Sequence, residues 1–126
     1  MSSNLFNVVY VDTSSEPSHV QTFHSTAIWN DHFDAVKETD KLMVIDFTAK
    51  WCGPCKLMNP TMKDFAAKYS DVEFIKLDVD ELMGVSQTFQ VYSLPTFLLV
   101  KKGNVIDKVV GVRKEELHRM IEKHIT

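Results

Sequence analysis

Cysteine is almost absent from this 126-residue chain: there are two, Cys52 and Cys55, and no third thiol for either to pair with. That argues against a framework of structural disulfides. A bridge across so short a loop restrains little unfolded-state entropy, and stapling uses distant partners. A zinc site is equally disfavoured, because about four ligands are needed and no second C-x-x-C or H-x-x-x-H accompanies the pair. No apolar run is long enough to span a bilayer. Residues 1–22 contain no Lys or Arg, and no basic segment followed by an apolar one opens the chain. Neither a secretory signal nor an organelle transit peptide is expected from such an N-terminus. Ser2 stands where N-myristoylation requires glycine. The net charge of -3 lacks the basic footprint of a nucleic-acid binder. The expectation is a protein of a reducing, cytoplasmic compartment, with no membrane and no nucleic acid among its partners.

What is present suits one compact domain. The chain is 44% hydrophobic and 25% charged, and its length supports a single core. Residues 1–19 read as an extension, with Val8–Val11 either docking as a short strand or lying in a partly ordered tail. The domain spans residues 20–126. Val20 to Phe23 reads as a strand, and Ser25 as the cap of a helix bearing Ile28, Trp29, Phe33 and Val36 at helical spacing. Leu42 to Phe47 is an apolar run suited to a central strand covered on both faces. A helix follows from about Cys55 to Tyr69, with Pro60 inside it to kink it and Met58, Met62 and Phe65 facing the core. Val72 to Val79 is the next strand, and Asp80 caps a helix from Glu81 to about Phe89. Thr96–Lys101 and Val105–Val110 flank Lys102-Gly103-Asn104 and predict a hairpin. The last helix covers about Lys114 to His124, with Glu115 and Glu116 in its first turn. The order βαβαβαββα predicts an α/β fold: a mixed sheet with helices on both faces and the hairpin at one edge.

The chemistry concentrates in Trp51-Cys52-Gly53-Pro54-Cys55, placed between the central strand and a helix. A C-x-x-C at such a junction reads as a dithiol/disulfide redox centre. A thiolate there meets the free N–H groups of the first helical turn, which favour its charged form. Gly53 offers no side chain to obstruct an incoming protein. Pro54 is tolerated in a first turn, where its missing N–H costs nothing. Asp46 interrupts the apolar strand six residues before Cys52. A buried carboxylate there has a raised pKa, whereas an exposed one is ordinary, and the strand pattern alone leaves both open. Trp29 is the better core tryptophan and Trp51 the better exposed one. Asp78-x-Asp80 does not continue as a calcium loop, since Leu82 takes a ligand position. His118 and His124 are too poorly phased to share a metal.

Three blocks then carry a resemblance: Asp46-Phe47-Thr48-Ala49-Lys50-Trp51-Cys52-Gly53-Pro54-Cys55-Lys56, Leu94-Pro95-Thr96-Phe97, and Lys108-Val109-Val110-Gly111. In order and spacing, the chain from about Ala27 to His124 resembles the thioredoxins, and most closely the plant type-h group. That family is itself a standard case of a thiol with lowered pKa. The resemblance implies the thioredoxin fold, a central mixed five-stranded sheet flanked by four helices, here with a short N-terminal extension. It implies a protein-disulfide reductase with no bound cofactor. Electrons would come from NADPH through a flavin thioredoxin reductase, and disulfide-containing proteins would be the targets of a monomer.

By the same resemblance, Cys52 is the partly exposed nucleophile in the first helical turn. Cys55, one turn deeper, resolves the mixed disulfide. Asp46 accepts the Cys55 proton through water, and Lys76 lies near that carboxylate. Pro at position 54 favours the reduced dithiol. The Leu94–Pro95 bond is cis, and the Leu94 backbone pairs with an extended target segment. Trp51, Gly53, Pro54, Leu94, Pro95, Gly111 and Val112 surround Cys52 as an apolar docking surface. Thr48 replaces a tryptophan common in bacterial members, as type-h members allow. Lys50 stands where many plant members have a small residue, which alters partner electrostatics. The extra N-terminal cysteine and the acylatable glycine of some extended type-h members are both missing here. Two other readings fit the same residues less well: a binding module switched by redox state, and an isomerase or oxidant.

Overall fold

The elements follow the sequence pattern closely. The computed structural model describes residues 19–125. The stretch Val8–Val11, read above as a strand or tail, lies outside them. The chain runs β1 (Val20–Phe23), α1 (Thr26–Val36), β2 (Met43–Thr48), α2 (Gly53–Leu57), α3 (Asn59–Lys68), β3 (Glu73–Asp78), α4 (Met83–Thr88), β4 (Thr96–Lys101), β5 (Asn104–Val110) and α5 (Lys114–His124). The sheet order is β1-β3-β2-β4-β5. β1 and β2 both pair parallel to β3, whereas β4 pairs antiparallel to β2 and to β5. The mixed sheet and the edge hairpin are therefore as the element order predicts.

Alternation along the strands sends side chains to two faces, and each face carries its own core. Val44, Phe74, Phe97 and Leu99 meet Met58, Met62 and Phe65 of the α2–α3 segment and Leu117 and Ile121 of α5. Ile45, Phe47, Ile75, Leu77 and Leu98 meet Trp29 of α1 and Leu82 and Val85 around α4. β2 is buried from Met43 to Phe47 because both its edges are paired and both its faces are covered.

Three departures from the sequence reading have physical causes. The long helix expected from Cys55 to Tyr69 is broken rather than kinked. Met58, at φ -90° and ψ -8°, ends α2 and begins α3, and Pro60 occupies the first turn of α3, where it need not donate. Ile28 is 62% exposed although Trp29 beside it is 2% exposed. Trp29, Phe33 and Val36 form the stripe that faces the core, and Ile28 lies about 100° around the helix from it. α4 starts at Met83 without a side-chain cap. In the turn before it, Asp78 Oδ1 accepts from the Asp80 and Glu81 amides at 2.8 and 3.3 Å, and the Asp80 carboxylate goes to another partner. The Ser25 cap is as read: its Oγ accepts from the Ile28 amide at 3.3 Å. The hairpin turns on Lys102 and Gly103, both at positive φ (52° and 81°). This is the geometry a two-residue turn needs to match strand twist.

Trp29 packs edge-on to Phe23 at 5.4 Å and against Phe33 at 5.5 Å, joining β1 to α1. Trp29→Ala is expected to cost about 3–5 kcal/mol of stability, and Ile28→Ala to stay within about 0.5 kcal/mol. Urea unfolding midpoints of the two variants test this ordering.

Candidate functional site

The site grows from the end of β2. After Thr48 the chain leaves the sheet, passes Ala49, Lys50 and Trp51, and enters α2 at Gly53. Cys52 is the residue before the helix, with φ -87° and ψ 104°, and Cys55 lies inside it. The two are joined as a disulfide, with their Cα atoms 5.4 Å apart. The Sγ of Cys52 accepts from the Cys55 backbone N–H at 3.2 Å, so the sulfur itself caps the helix. The same N–H that meets the disulfide sulfur is placed to meet a thiolate after reduction.

Cys52 is less open than the sequence suggests, at 5% exposed. Bridged to Cys55, it packs with Ala49 and is flanked by Val79 and Leu94. What is exposed is the ring of residues around it. Trp51 is 71% exposed, and Gly53, Pro54 and Val112 also face solvent. A Cβ added to Gly53 meets nothing within 4 Å.

The Leu94–Pro95 bond is cis. Pro95 itself is buried, and Leu94 covers the cysteine cluster. The Pro95 carbonyl accepts from the Gly111 amide at 2.8 Å. Gly111 has φ +95°, a conformation that disfavours any side chain. This bond joins the second and third blocks of the sequence at the rim of the site.

Asp46 is 1% exposed, in the middle of β2. It points to the same sheet face as Val44 two residues before it, the face covered by Met58 and Met62. Cys55, in the helix that leads to Met58, is buried in its own small cluster with Cys52 and Ala49. The Oδ1 of Asp46 has no hydrogen-bond partner among the described residues. Burial disfavours the carboxylate and raises its pKa from 3.8 to about 7, with Lys76 opposing that rise. Lys76 is the register partner of Asp46 on β3, and its Nζ donates to Asn59 Oδ1 at 2.8 Å.

Two contacts beside the site are not legible in the sequence. Asp80, read as a helix cap, accepts from the Trp51 indole N–H at 2.8 Å and fixes the ring at the surface. The turn amides of Asp80 and Glu81 go to Asp78 instead, which leaves the Asp80 carboxylate for this contact. Asn59, read only as part of a helix, starts α3 and holds Lys76. Among the described residues no cluster of three or more His, Cys, Asp or Glu could hold a metal ion.

Comparison with known proteins agrees with this geometry. A family model described as Thioredoxin matches residues 23–123. Thioredoxin H2 of Arabidopsis thaliana is 49% identical over 111 residues, covering 88% of this chain and 84% of that protein. Thioredoxin H-type 1 of Nicotiana tabacum is 48% identical over 112 residues, covering 89% of each. The crystal structure of thioredoxin NaTrxh from Nicotiana alata superposes with a TM-score of 0.85 at 53% identity, covering 87% of this chain and 96% of that one.

The Asp46 carboxyl makes stability depend on pH. Below about pH 4 the group is protonated folded and unfolded, and contributes nothing. From about pH 4 to 7 the unfolded chain ionises while the folded one stays protonated, so stability falls as pH rises. Above pH 7 the full penalty, about 4 kcal/mol, is in place. Asp46→Asn in the oxidised protein is expected to remove most of this slope and to be more stable than the parent at pH 8. Urea titrations at pH 5 and pH 8 measure both effects.

Proposed function

The chain belongs to the thioredoxin family and is a thiol–disulfide oxidoreductase, and we propose that it works as a reductant of protein disulfides through Cys52. The observation that carries this reading is the Cys52 sulfur at the head of α2, receiving the Cys55 amide beneath an exposed Trp51. The thiolate of Cys52 attacks one sulfur of a target disulfide. A mixed disulfide forms and the target's other sulfur leaves as a thiolate. Cys55 then loses its proton toward Asp46, whose carboxylate, with a pKa of about 7, is matched to that exchange near neutral pH. The Cys55 thiolate attacks Cys52 Sγ, the Cys52–Cys55 bond closes, and the target's second sulfur is released. Two electrons have passed to the target, and the bridged pair described above is the product.

Trp51, Gly53, Pro54, Leu94, Pro95, Gly111 and Val112 bound the target surface in this reading. Opening Cys52 to a target requires the covering residues, Leu94 above all, to give way or to be part of the contact. Lys76 limits how far burial raises the Asp46 pKa. The oxidised pair is reset by NADPH through a flavin thioredoxin reductase, with no cofactor held by this chain. No helix among the described residues is long and apolar enough to cross a membrane. We assign the protein to the cytosol, where the glutathione poise keeps thiols reduced, and treat it as a monomer.

Insulin reduction driven by NADPH and a thioredoxin reductase tests the assignment. Cys52→Ser is expected to fall to the uncatalysed background. Cys55→Ser is expected to accumulate a covalent adduct with insulin, visible by non-reducing electrophoresis and released by dithiothreitol. Unchanged turnover in either variant would refute the two-cysteine mechanism.

A further inference from the structure

A second recess borders the dithiol on the side away from Leu94 and Pro95. It encloses about 340 Å³ and is lined by Thr48, Lys50, Lys56, Asn59, Lys76 and Asp78, with Ala49 at its inner wall. Ala49 also packs on Cys52 and Cys55, so the recess and the disulfide share a wall. Its position follows from the sheet order. β3 lies on one side of β2 and β4 on the other, so the recess and the cis-proline rim flank the same loop.

The charge there opposes that of the whole chain. The protein carries a net charge of -3, yet three lysines line this recess against one carboxylate. That carboxylate, Asp78, is occupied by two backbone amides. Lys76 is held by a neutral partner, Asn59. Lys50 and Lys56 are exposed, and neither has an ion pair or a side-chain hydrogen bond among the described residues. The contrast with the opposite end of the sheet is instructive. A larger recess there, about 500 Å³, is also lined by lysines. Lys41 pairs with Glu73 at 3.8 Å, Lys101 donates to the His124 carbonyl at 3.4 Å, and Lys68 lies 5.1 Å over the Tyr69 ring. Those cations already have partners; Lys50 and Lys56 have none among the described residues.

We propose that this recess is a specificity site for disulfide targets, in which Lys50 and Lys56 receive an acidic segment beside the attacked disulfide. The proposal rests on the reductase reading above. An acidic segment a few residues from the target cysteine, at about 3.3 Å per extended residue, reaches from Cys52 to either lysine. Thr48 and Asn59 add neutral hydrogen-bonding groups to the same wall. Because both lysines are exposed, the effect is one of steering and selection and is weakened by salt. It is directional: the field of the whole chain favours cationic targets, so preference for an acidic one must come from a local patch.

The test uses three short disulfide-bonded peptides, identical except that the residues flanking the cysteines are Asp/Glu, Asn/Gln or Lys. The readout is the second-order rate at which each oxidises the prereduced full-length protein. At about 0.02 M salt the acidic peptide is expected to react about fivefold faster than the neutral one, with the gap closing near 0.5 M. In Lys50→Gln/Lys56→Gln the acidic peptide is expected to slow to the neutral rate while the neutral peptide keeps its own, which also shows that the variant is folded. Equal rates for acidic and neutral peptides in the parent, or a preference that survives in the double variant, overturn the proposal and leave the reductase reading intact. Failure of all three peptides to oxidise the protein overturns that reading, and this one with it.

Discussion

The pairing of β2 on both edges is the constraint from which the rest follows. Parallel pairing to β3 and antiparallel pairing to β4 satisfy its backbone groups and close off both edges, and the helices packed on the sheet cover both faces. A strand so enclosed gives its side chains no solvent, and Asp46 is one of them. The same pairing sets Lys76 and Phe97 beside Asp46 on either side. It also fixes where the chain leaves the sheet, and therefore where the loop carrying both cysteines begins. Redox site and titrating carboxyl are placed by one act of strand pairing.

Two thiols of identical intrinsic chemistry are thereby made different. Cys52 sits at the head of the helix, touched by an amide and bordered by exposed groups that a partner protein can reach. Cys55 lies within the helix and is buried. One position suits attack on something outside, the other suits intramolecular closure. Burial and a short helix supply this asymmetry.

Much of this was legible in the residues, for reasons that can be named. The apolar run from Leu42 and the period-two hairpin fix strands because burial on one or two faces leaves few alternatives. The C-x-x-C reads clearly because there is no competing cysteine. Less legible were features decided by neighbours distant in sequence. Pro60 announces a disturbance in a helix, but a kink and a break differ only in what packs around Met58. Asp80 is a competent cap by residue type, but α4 starts without a side-chain cap and the Asp80 carboxylate goes to Trp51, 29 residues before it. The burial of Cys52 depends on Leu94 and Val79 closing over it, a contact no local pattern records. The lysine-lined recess draws on β2, α2, α3 and β3 together.

The direction of the strands has an architectural consequence. β1, β2 and β3 run parallel, and the dithiol stands where β2 ends, so Val20 at the start of β1 belongs to the opposite pole. The last helix returns to that pole as well, since the His124 carbonyl meets Lys101 at the end of β4, beyond the pairing of Met43 with Val100. Both ends of the described chain thus emerge on the side facing away from the chemistry. The molecule is polar in the sense a plug is: it can be tethered, fused or anchored at its base by either end while its working tip stays turned outward.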